Sequence, residues 1–316
     1  MPDPRTLRQP GAVATASALA AAAALAGGGL LTANPAGGGG KGPVNHAALD
    51  GQPVERPTEA GTPDLGLPDT PELVPAAGPP GSTAARLANN RVDATGLRAQ
   101  GYPCPLPRFQ PSAPGQRAFY AAELNCLNTA WKPVVEAAHV PFRPPRVEVV
   151  DHPVNTPCGP RKPDRTALYC KGVLYMTAEY YRDVEGHGDD VSVYFGQMAH
   201  EYGHHVQQLT GIMDASWQDR ARIGKRSPAG LATTRRLELQ ATCFGGMFLG
   251  ALHDHHAVDP ALVGGALRDY GERGDDQGQP PEHGTPRANG AWAQQGFQHN
   301  QTYQCNTWLA PPSAIG

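Results

Sequence analysis

The chain has 316 residues and a formal net charge of −3, with 26 basic and 29 acidic side chains of both signs interspersed. This balance gives no support for binding to nucleic acid or to an anionic surface, because both interactions need an excess of positive charge. Aromatic residues begin only at Tyr102, and all six cysteines come after it. The material for a folded core is therefore concentrated in the later two thirds of the chain.

Residues 1–33 are predicted to be a signal peptide or an N-terminal membrane anchor. Arg5 and Arg8 precede an uncharged run, rich in Ala and Leu, from Gly11 to about Ala33. A basic flank followed by such a run is typical of an export segment. The run is long enough to cross a bilayer, although alanine contributes little to insertion, so cleavage and membrane tethering both stay open. Either outcome predicts an extracytoplasmic domain, secreted or anchored to the membrane.

Residues 34–94 are predicted to be a disordered linker. Gly and Pro make up about one third of this stretch as far as residue 90, and Ala, Thr and Asp supply much of the rest. Such a composition buries too little apolar surface to offset the entropy of ordering. Residues 95–316 then remain as one domain, which is long enough to bury a sizeable core.

The six cysteines agree with an exported domain, since an even number in an oxidising compartment predicts disulfides. They contain no Cys-x-x-Cys pair that would indicate a structural zinc site. Six cysteines allow 15 pairings, and the sequence alone does not choose among them. We expect neighbours in sequence to pair, because the first two pairs then close short loops: Cys104–Cys126, Cys158–Cys170 and Cys243–Cys305.

A helix and three short strands are predicted in the first half of the domain. Apolar residues at helical spacing predict the helix over about 116–138, with a kink at Pro133. The strands are predicted at residues 147–151, 168–170 and 173–176. Lys171-Gly172 is the expected hairpin turn between the last two. We expect the strand 173–176 to present an open edge on which an extended peptide substrate pairs.

The pentapeptide His200-Glu201-Tyr202-Gly203-His204 supplies two metal ligands and a general base at the spacing that a hydrolytic zinc centre needs. On a helix, positions i and i+4 lie one above the other, so both imidazoles reach a single cation. Glu201 lies about 100° further round, where it holds a water molecule without displacing it from the metal. The motif predicts His200 and His204 as zinc ligands and Glu201 as the catalytic base.

The surrounding sequence places this motif in an amphipathic helix. Asp189 and Asp190 offer an N-cap, and Gly211 is the expected stop. The apolar stripe comprises Phe195, Met198, Tyr202, Val206 and Leu209. The alternative is a solvated helix with incidental histidines. After it comes a basic segment, expected to be a loop, and a second helix over 231–252.

Glu238 in that second helix is the predicted third zinc ligand. A catalytic zinc takes three protein ligands, and the sequence after the pentapeptide lacks the pattern that would supply another histidine there, since Gln207 and Thr210 replace the Gly and the His. The neighbours of Glu238 on its helix face are small, which would allow the two helices a close approach: Thr234, Thr242 and Gly245. The alternative for Glu238 is an ordinary surface carboxylate.

Further histidines lie toward the C-terminus. His283 is a candidate donor to the oxyanion that develops during amide hydrolysis, with simple exposure as the alternative. The cluster His253, His255 and His256 is expected to cap the end of a helix and not to bind metal.

At these residues the chain resembles the bacterial neutral zinc metallopeptidase family, whose arrangement is of the thermolysin-like glutamate-zincin type. The resemblance covers about residues 100–308. It is carried by the run from Ala199 to Gln207 and by Arg236-Leu237-Glu238-Leu239-Gln240-Ala241. Weaker similarities are Cys126-Leu127-Asn128 through Trp131, His283-Gly284, Trp292 and Gly296-Phe297.

The resemblance implies an α+β, zincin-like domain in which the active-site helix and the glutamate helix pack on a small sheet. It implies Zn²⁺ bound by His200, His204 and Glu238, with Glu201 as the base. In one respect the chain departs from the family, which has Asp four residues after the ligand glutamate where this chain has Thr242. Such an acid orients a zinc-bound histidine, so we expect Thr242 to face the outer nitrogen of His200 or His204.

Together these features predict a zinc-dependent peptidase that hydrolyses peptide or protein substrates outside the cytoplasm. Glu201 would take a proton from the attacking water and pass it to the leaving amine. One alternative is a catalytically weak or inactive extracellular binding module, which the neutral Thr242 favours and the intact Glu201 disfavours. A purely structural metal is a third hypothesis, although structural sites are usually closed by Cys or His and carry no adjacent base.

Overall fold

The computed structural model describes residues 64–67, 83–93, 96–275 and 281–316. The predicted export segment 1–33 and most of the predicted linker lie outside these residues. In the part of the chain that is described, none of the helices combines the length and the apolar character that a membrane span requires.

The described residues form an α+β structure, as predicted. Its helices are α1 (Thr83–Ala88), α2 (Ala113–Ala137), α3 (Val191–Leu209), α4 (Ile212–Ile223), α5 (Pro228–Asp254), α6 (Pro260–Glu272) and α7 (Pro286–His299). Its strands are β1 (Arg146–Val150), β2 (Val154–Thr156), β3 (Gly159–Arg161), β4 (Leu168–Cys170) and β5 (Val173–Thr177). A single π-helical turn, Tyr180–Val184, leads from β5 toward α3.

Strand β5 is the central strand of a three-stranded sheet with the order β1-β5-β4. It pairs in parallel with β1, from Arg146 opposite Val173 to Val150 opposite Thr177. It pairs antiparallel with β4 on its other side. The expectation that the strand 173–176 has an open edge was therefore wrong, because β1 covers that edge. Strand β4 is an edge strand instead.

The hairpin turn between β4 and β5 was predicted correctly. Lys171 and Gly172 have φ values of 46° and 86°. Two consecutive residues with positive φ make the type of two-residue turn whose twist matches that of antiparallel strands, and glycine adopts this conformation at no steric cost.

The two faces of the sheet have different partners. On one face, Leu174 and Met176 join the main core with α2 and α3. On the other, Val150, Val173 and Tyr175 form a smaller cluster, against which Val154 of β2 packs. The disulfide Cys158–Cys170 ties the β2–β3 hairpin to the end of β4.

Helices α3 and α5 lie in close contact because glycines face each other's backbone. A Cβ atom at Gly203 of α3 would lie 2.7 Å from the carbonyl oxygen of Ala241 in α5. A Cβ atom at Gly245 of α5 would clash with the Tyr270 hydroxyl and lie 3.5 Å from the backbone nitrogen of His200. Of the small residues that favoured a close approach of these two helices, Gly245 lies at the contact as expected.

All three predicted disulfides are present: Cys104–Cys126, Cys158–Cys170 and Cys243–Cys305. The last of these joins α5 to the short helical turn Thr302–Cys305, and both of its cysteines are fully buried.

Two expectations about connecting segments differ from the structure. The basic segment after α3, expected to be a loop, is helical over Ile212–Ile223, and Arg220 and Arg222 lie in that helix. Residues 83–93, which fall in the predicted linker, form α1 and a short turn, Arg91–Asp93, with Leu87 and Val92 in the core. Because these two apolar side chains pack into the core, the end of the predicted linker is folded, which its overall composition did not predict.

Candidate active site

Helix α3 carries the pentapeptide in its central turns. Asp190 caps its start, with the side chain accepting a hydrogen bond from the Ser192 N–H at 3.1 Å. The helix ends at Leu209, and Gly211 follows with φ of 78°. The cap and the stop are those predicted, so His200 and His204 lie one turn apart on a continuous helix.

Glu238 of α5 meets both histidines. Its Oε2 atom lies 3.4 Å from His200 Nε2 and 3.2 Å from His204 Nε2. The candidate ligand atoms of the three residues all lie within 4.8 Å of one another. Zinc bonds of about 2.0 to 2.2 Å at tetrahedral angles hold their ligand atoms about 3.3 Å apart. The donor set and its spacing therefore fit a zinc ion.

The electrostatics of the site also fit a cation. Burial alone would lower the pKa of His204, but the charge of Glu238 and its hydrogen bond outweigh burial and raise this pKa to about 9. Burial alone would raise the pKa of Glu238, but the charge of His204 and hydrogen bonds from both histidines hold it well below its usual range. A bound cation would replace the proton that this arrangement attracts.

The outer nitrogen of His200 contacts Thr242, as expected. Its Nδ1 atom lies 3.1 Å from Thr242 Oγ1. The Thr242 hydroxyl in turn donates to Asn289 Oδ1 at 3.2 Å. Thr242 and Asn289 are both buried.

The outer nitrogen of His204 contacts Gln207. Its Nδ1 atom lies 2.9 Å from Gln207 Oε1. The Gln207 amide group donates to the Leu237 carbonyl at 2.8 Å and to Gln240 Oε1 at 3.1 Å. Both histidines of the site are thus held by neutral side chains.

Glu201 is buried on α3 immediately after His200. Its negative charge helps to raise the pKa of His204, and also those of Tyr181 and Tyr270, for which burial is the larger cause. Glu201 is therefore within electrostatic reach of the ligand cluster while remaining outside the set of converging ligand atoms.

His283 lies in the loop before α7, with an exposed side chain. Asp275 holds this loop by accepting hydrogen bonds from the backbone N–H groups of Glu282, His283 and Gly284, at 2.7 to 2.9 Å. The charge of His283 makes a smaller contribution to the lowered pKa of Glu238. His283 thus acts electrostatically on the same carboxylate that meets the two α3 histidines.

The histidine cluster at the end of α5 does not join the site. His253 lies in the last turn of α5, where it packs against the ring of Phe297, and His255 and His256 follow directly after the helix. Among the described residues, the group of His, Cys, Asp and Glu side chains with a geometry suited to a metal is His200, His204 and Glu238.

No pattern in the sequence points to Asn289, and the pattern that points to Gln207 is indirect. Gln207 stands where another zinc motif has a glycine. Its position three residues after His204, on the same helix face, is the signal from which its contact follows. Asn289 has no such local relation to the motif, since 47 residues separate it from Thr242.

A family model and several relatives match this chain. The model of the family described as "Putative neutral zinc metallopeptidase" matches residues 112–308, which include α3 and α5. Uncharacterized protein YpfJ of Escherichia coli K12 is 26% identical over 237 residues, covering 69% of this chain and 81% of that protein. Uncharacterized protein Rv2575 of Mycobacterium tuberculosis is 26% identical over 211 residues, covering 59% of this chain and 68% of that protein. No solved structure shows significant similarity.

Proposed function

We propose that this chain, which belongs to the neutral zinc metallopeptidase family, is a zinc-dependent peptidase acting outside the cytoplasm. His200, His204 and Glu238 would hold the metal, and Glu201 would be the catalytic base. The observation that carries the proposal is the convergence of two imidazole nitrogens on one carboxylate oxygen at 3.2 and 3.4 Å, beside a buried glutamate that is not needed as a ligand.

When bound, zinc would lower the pKa of the attacking water and polarise the scissile carbonyl. Glu201 would accept the proton of that water and deliver it to the leaving amine. Its burial supports this role, because proton transfer by a carboxylate is more effective where bulk water is excluded. His283 would donate to the developing oxyanion, and the Asp275 clamp on its loop supports this assignment.

Strand β4 is the proposed platform for the substrate backbone. It is an edge strand in the described part of the sheet, so an extended peptide can add to it by main-chain hydrogen bonds. The Tyr169 hydroxyl lies 3.1 Å from Nδ1 of His205, the residue after the ligand His204. The N–H of Ala167 donates to the hydroxyl of Tyr181, whose pKa is raised mainly by burial and to a smaller extent by the charge of Glu201. These contacts support a peptide path along β4 that passes the metal site.

The proposed extracytoplasmic location rests on the three disulfides, because such bonds persist in oxidising compartments. The segment 1–33 would direct export, as a cleaved signal or as a membrane tether. Peptides or proteins of the cell envelope or its surroundings would then be the substrates.

The test is the Glu201→Gln variant of the full chain, compared with the wild type and with Glu136→Gln, which changes an exposed glutamate of α2. Zinc content is measured on each purified protein, and hydrolysis is followed with casein and a quenched peptide library, with and without a chelator. Glu201→Gln is expected to bind zinc near stoichiometrically and to lose nearly all hydrolysis. Normal cleavage by this variant would overturn the assigned base.

A non-catalytic binding module is a second candidate, favoured by the neutral Thr242 behind His200. It predicts a wild-type protein that binds zinc but shows no hydrolysis above that of Glu201→Gln on any substrate. Chelator-sensitive cleavage by the wild type, absent from Glu201→Gln, would exclude it.

A further inference from the structure

We propose that Asn289 is a positioning residue for the metal ligand His200, acting through Thr242, and that it couples the metal centre to the loop carrying His283. The proposal rests on the proposed function, since it takes His200 as a zinc ligand. It goes beyond that function by assigning a role to a residue of α7 that contacts neither metal nor substrate.

The orientation of the Asn289 amide follows from its surroundings. Its Nδ2 atom lies 2.9, 3.4 and 3.2 Å from the carbonyl oxygens of His283, Gly284 and Thr285. Only the NH₂ end of an amide fits beside three carbonyl oxygens, because an oxygen there would face three other acceptors. Asn289 Oδ1 must therefore point toward Thr242.

This orientation of the Asn289 amide determines which atom accepts the proton of the Thr242 hydroxyl. An amide oxygen only accepts hydrogen bonds, so the Thr242 hydroxyl must donate to Asn289 Oδ1. The Thr242 oxygen then has only lone pairs left for His200, and the bond at 3.1 Å must be donated by His200 Nδ1–H. Thr242 is 1% exposed and Asn289 6%, so water does not compete for these bonds.

The position of the proton on Nδ1 also determines the state of Nε2, the other ring nitrogen of His200. In a neutral imidazole only one nitrogen carries a proton. With that proton held at Nδ1, Nε2 is the nitrogen whose lone pair can bind a cation, which would replace the Nε2 proton now facing Glu238 Oε2 at 3.4 Å. Asn289 and Thr242 therefore select the tautomer of His200 that binds a metal through Nε2.

The second histidine is positioned by an independent set of bonds. The Gln207 amide donates to Leu237 and Gln240, so its oxygen accepts the His204 Nδ1 proton. All of these residues belong to α3 and α5. The hydrogen bonds from His200 through Thr242 to Asn289, which we call the Asn289 relay, differ because they continue to the backbone carbonyl groups of residues 283–285. The same loop is held from its other side by Asp275.

Zinc dissociation constants, obtained by chelator competition on the full chain, test the relay. Thr242→Val and Asn289→Ala are expected to weaken zinc binding by about 10- to 100-fold, the usual effect of removing the partner that orients a metal-bound histidine. Thr242→Ser keeps the hydroxyl and should retain wild-type affinity. Asn125→Ala, on the exposed face of α2, is the matched control for the asparagine change.

Two further readouts separate positioning from simple loss of structure. Because Asn289 acts through Thr242, the double variant Thr242→Val/Asn289→Ala should bind zinc no more weakly than Thr242→Val alone. ¹⁵N chemical shifts of the zinc-loaded protein should report His200 with its proton at Nδ1 and the metal at Nε2, in the wild type and in Thr242→Ser. A mixture of tautomers is expected in Thr242→Val.

The proposal is overturned if both single variants fold and bind zinc as the wild type does, or if their effects on affinity simply add. Should Asn289→Ala fail to fold, the comparison of Thr242→Val with Thr242→Ser still decides whether the hydroxyl relay matters. These results are distinct from failure of the proposed function, which would appear as zinc binding without hydrolysis in the wild type.

Discussion

Glu238 is the residue on which the assignment of the metal centre depends most. It lies on a different helix from the two histidines, and its Oε2 atom contacts both of them. Its pKa is held well below the usual range because the charge of His204 and the two hydrogen bonds outweigh the cost of burial. A carboxylate kept ionised in this way is suited to binding a cation.

We predict that Glu238→Ala lowers zinc affinity more than Glu201→Gln does, because only the first change removes a ligand. Isothermal titration of zinc into the metal-free variants measures both. Glu136→Ala serves as the control for loss of a carboxylate elsewhere. An unchanged zinc titration for Glu238→Ala would show that Glu238 is not the third ligand.

Thr242, as the partner of the His200 Nδ1–H group, influences how strongly His200 would bind a metal ion through Nε2. A carboxylate in this position would accept the Nδ1 proton more strongly than a hydroxyl does. However, Asn289 Oδ1 lies 3.2 Å from the Thr242 oxygen and would repel a carboxylate there. The benefit of an acid at position 242 therefore depends on what stands at position 289.

We accordingly predict that Thr242→Asp, introduced into the Asn289→Ala background, tightens zinc binding by about 10-fold or more relative to Asn289→Ala alone. In the wild-type background the gain should be smaller. Chelator competition on the four proteins gives both differences. Equal effects of Thr242→Asp in the two backgrounds would show that Asn289 does not face the new carboxylate.

At the scale of elements, the site exists because α3 and α5 approach closely at Gly203. A Cβ atom there would lie 2.7 Å from the carbonyl oxygen and 2.9 Å from the Cα of Ala241. Both contacts are with backbone, which cannot move without moving α5 and, with it, Glu238. Gly196 lies two turns earlier on α3, and a Cβ atom there would be nearest to the methyl group of Ala266, at 3.2 Å, with the Ala266 backbone at an ordinary 3.5 Å or more.

We predict that Gly203→Ala lowers the free energy of unfolding by about 1–3 kcal/mol, the usual cost of overpacking, and also weakens zinc binding. Gly196→Ala is the matched control, since both changes give the same gain in helix propensity on the same helix. Urea unfolding and zinc titration of the two variants give the comparison. Equal effects at the two positions would mean that the close approach at Gly203 does not control the site.

The sequence predicted the elements whose signals are local. Helix α3 has a capping aspartate and a terminal glycine, and the β4–β5 hairpin has a two-residue turn, so their positions follow from neighbouring residues. The order of strands does not, because the pattern of β5 does not show that β1 pairs with it across more than 20 residues of chain. Helix α4 was missed because Gly211 ends α3 and also begins the next helix.

The site shows the same division between local and distant signals. His200, Glu201 and His204 form one motif, and Glu238 was found from the zinc requirement for a third ligand. Asn289 is a buried polar residue whose partner Thr242 comes into contact with it only when helices pack. Before packing it cannot be told from a surface residue, whereas the contact of Gln207 with His204 lies within one helix.

At the scale of the whole molecule, the buried carboxyl of Glu123 is not explained by the site. Glu123 of α2 is fully buried in the core. Neither of its carboxyl oxygens has a hydrogen-bond partner in the described part of the chain. Burial raises its pKa well above the ordinary value, because no partner compensates for the lost hydration of the charged form.

The sign of the resulting pH dependence follows from this shift. A carboxyl with a raised pKa in the folded state binds its proton more tightly there than in the unfolded chain. Its favourable contribution is complete below the unfolded pKa, about 4.3, and is lost as the pH rises through the folded pKa. Glu123 therefore makes the protein progressively less stable as the pH rises from about 4 toward neutrality.

We predict that Glu123→Gln removes this dependence. The free energy of unfolding of the wild type, relative to the variant, should fall as the pH rises above about 4, by up to about 1.4 kcal/mol per pH unit until the pH passes the folded pKa. Urea unfolding of both proteins between pH 4 and 8 measures the difference, in which titrations common to both cancel. For Glu136→Gln, at an exposed position of the same helix, the difference in free energy of unfolding from the wild type should not change with pH. A flat difference for Glu123→Gln as well would show that Glu123 titrates normally, and hence that its carboxyl reaches water or a partner in solution.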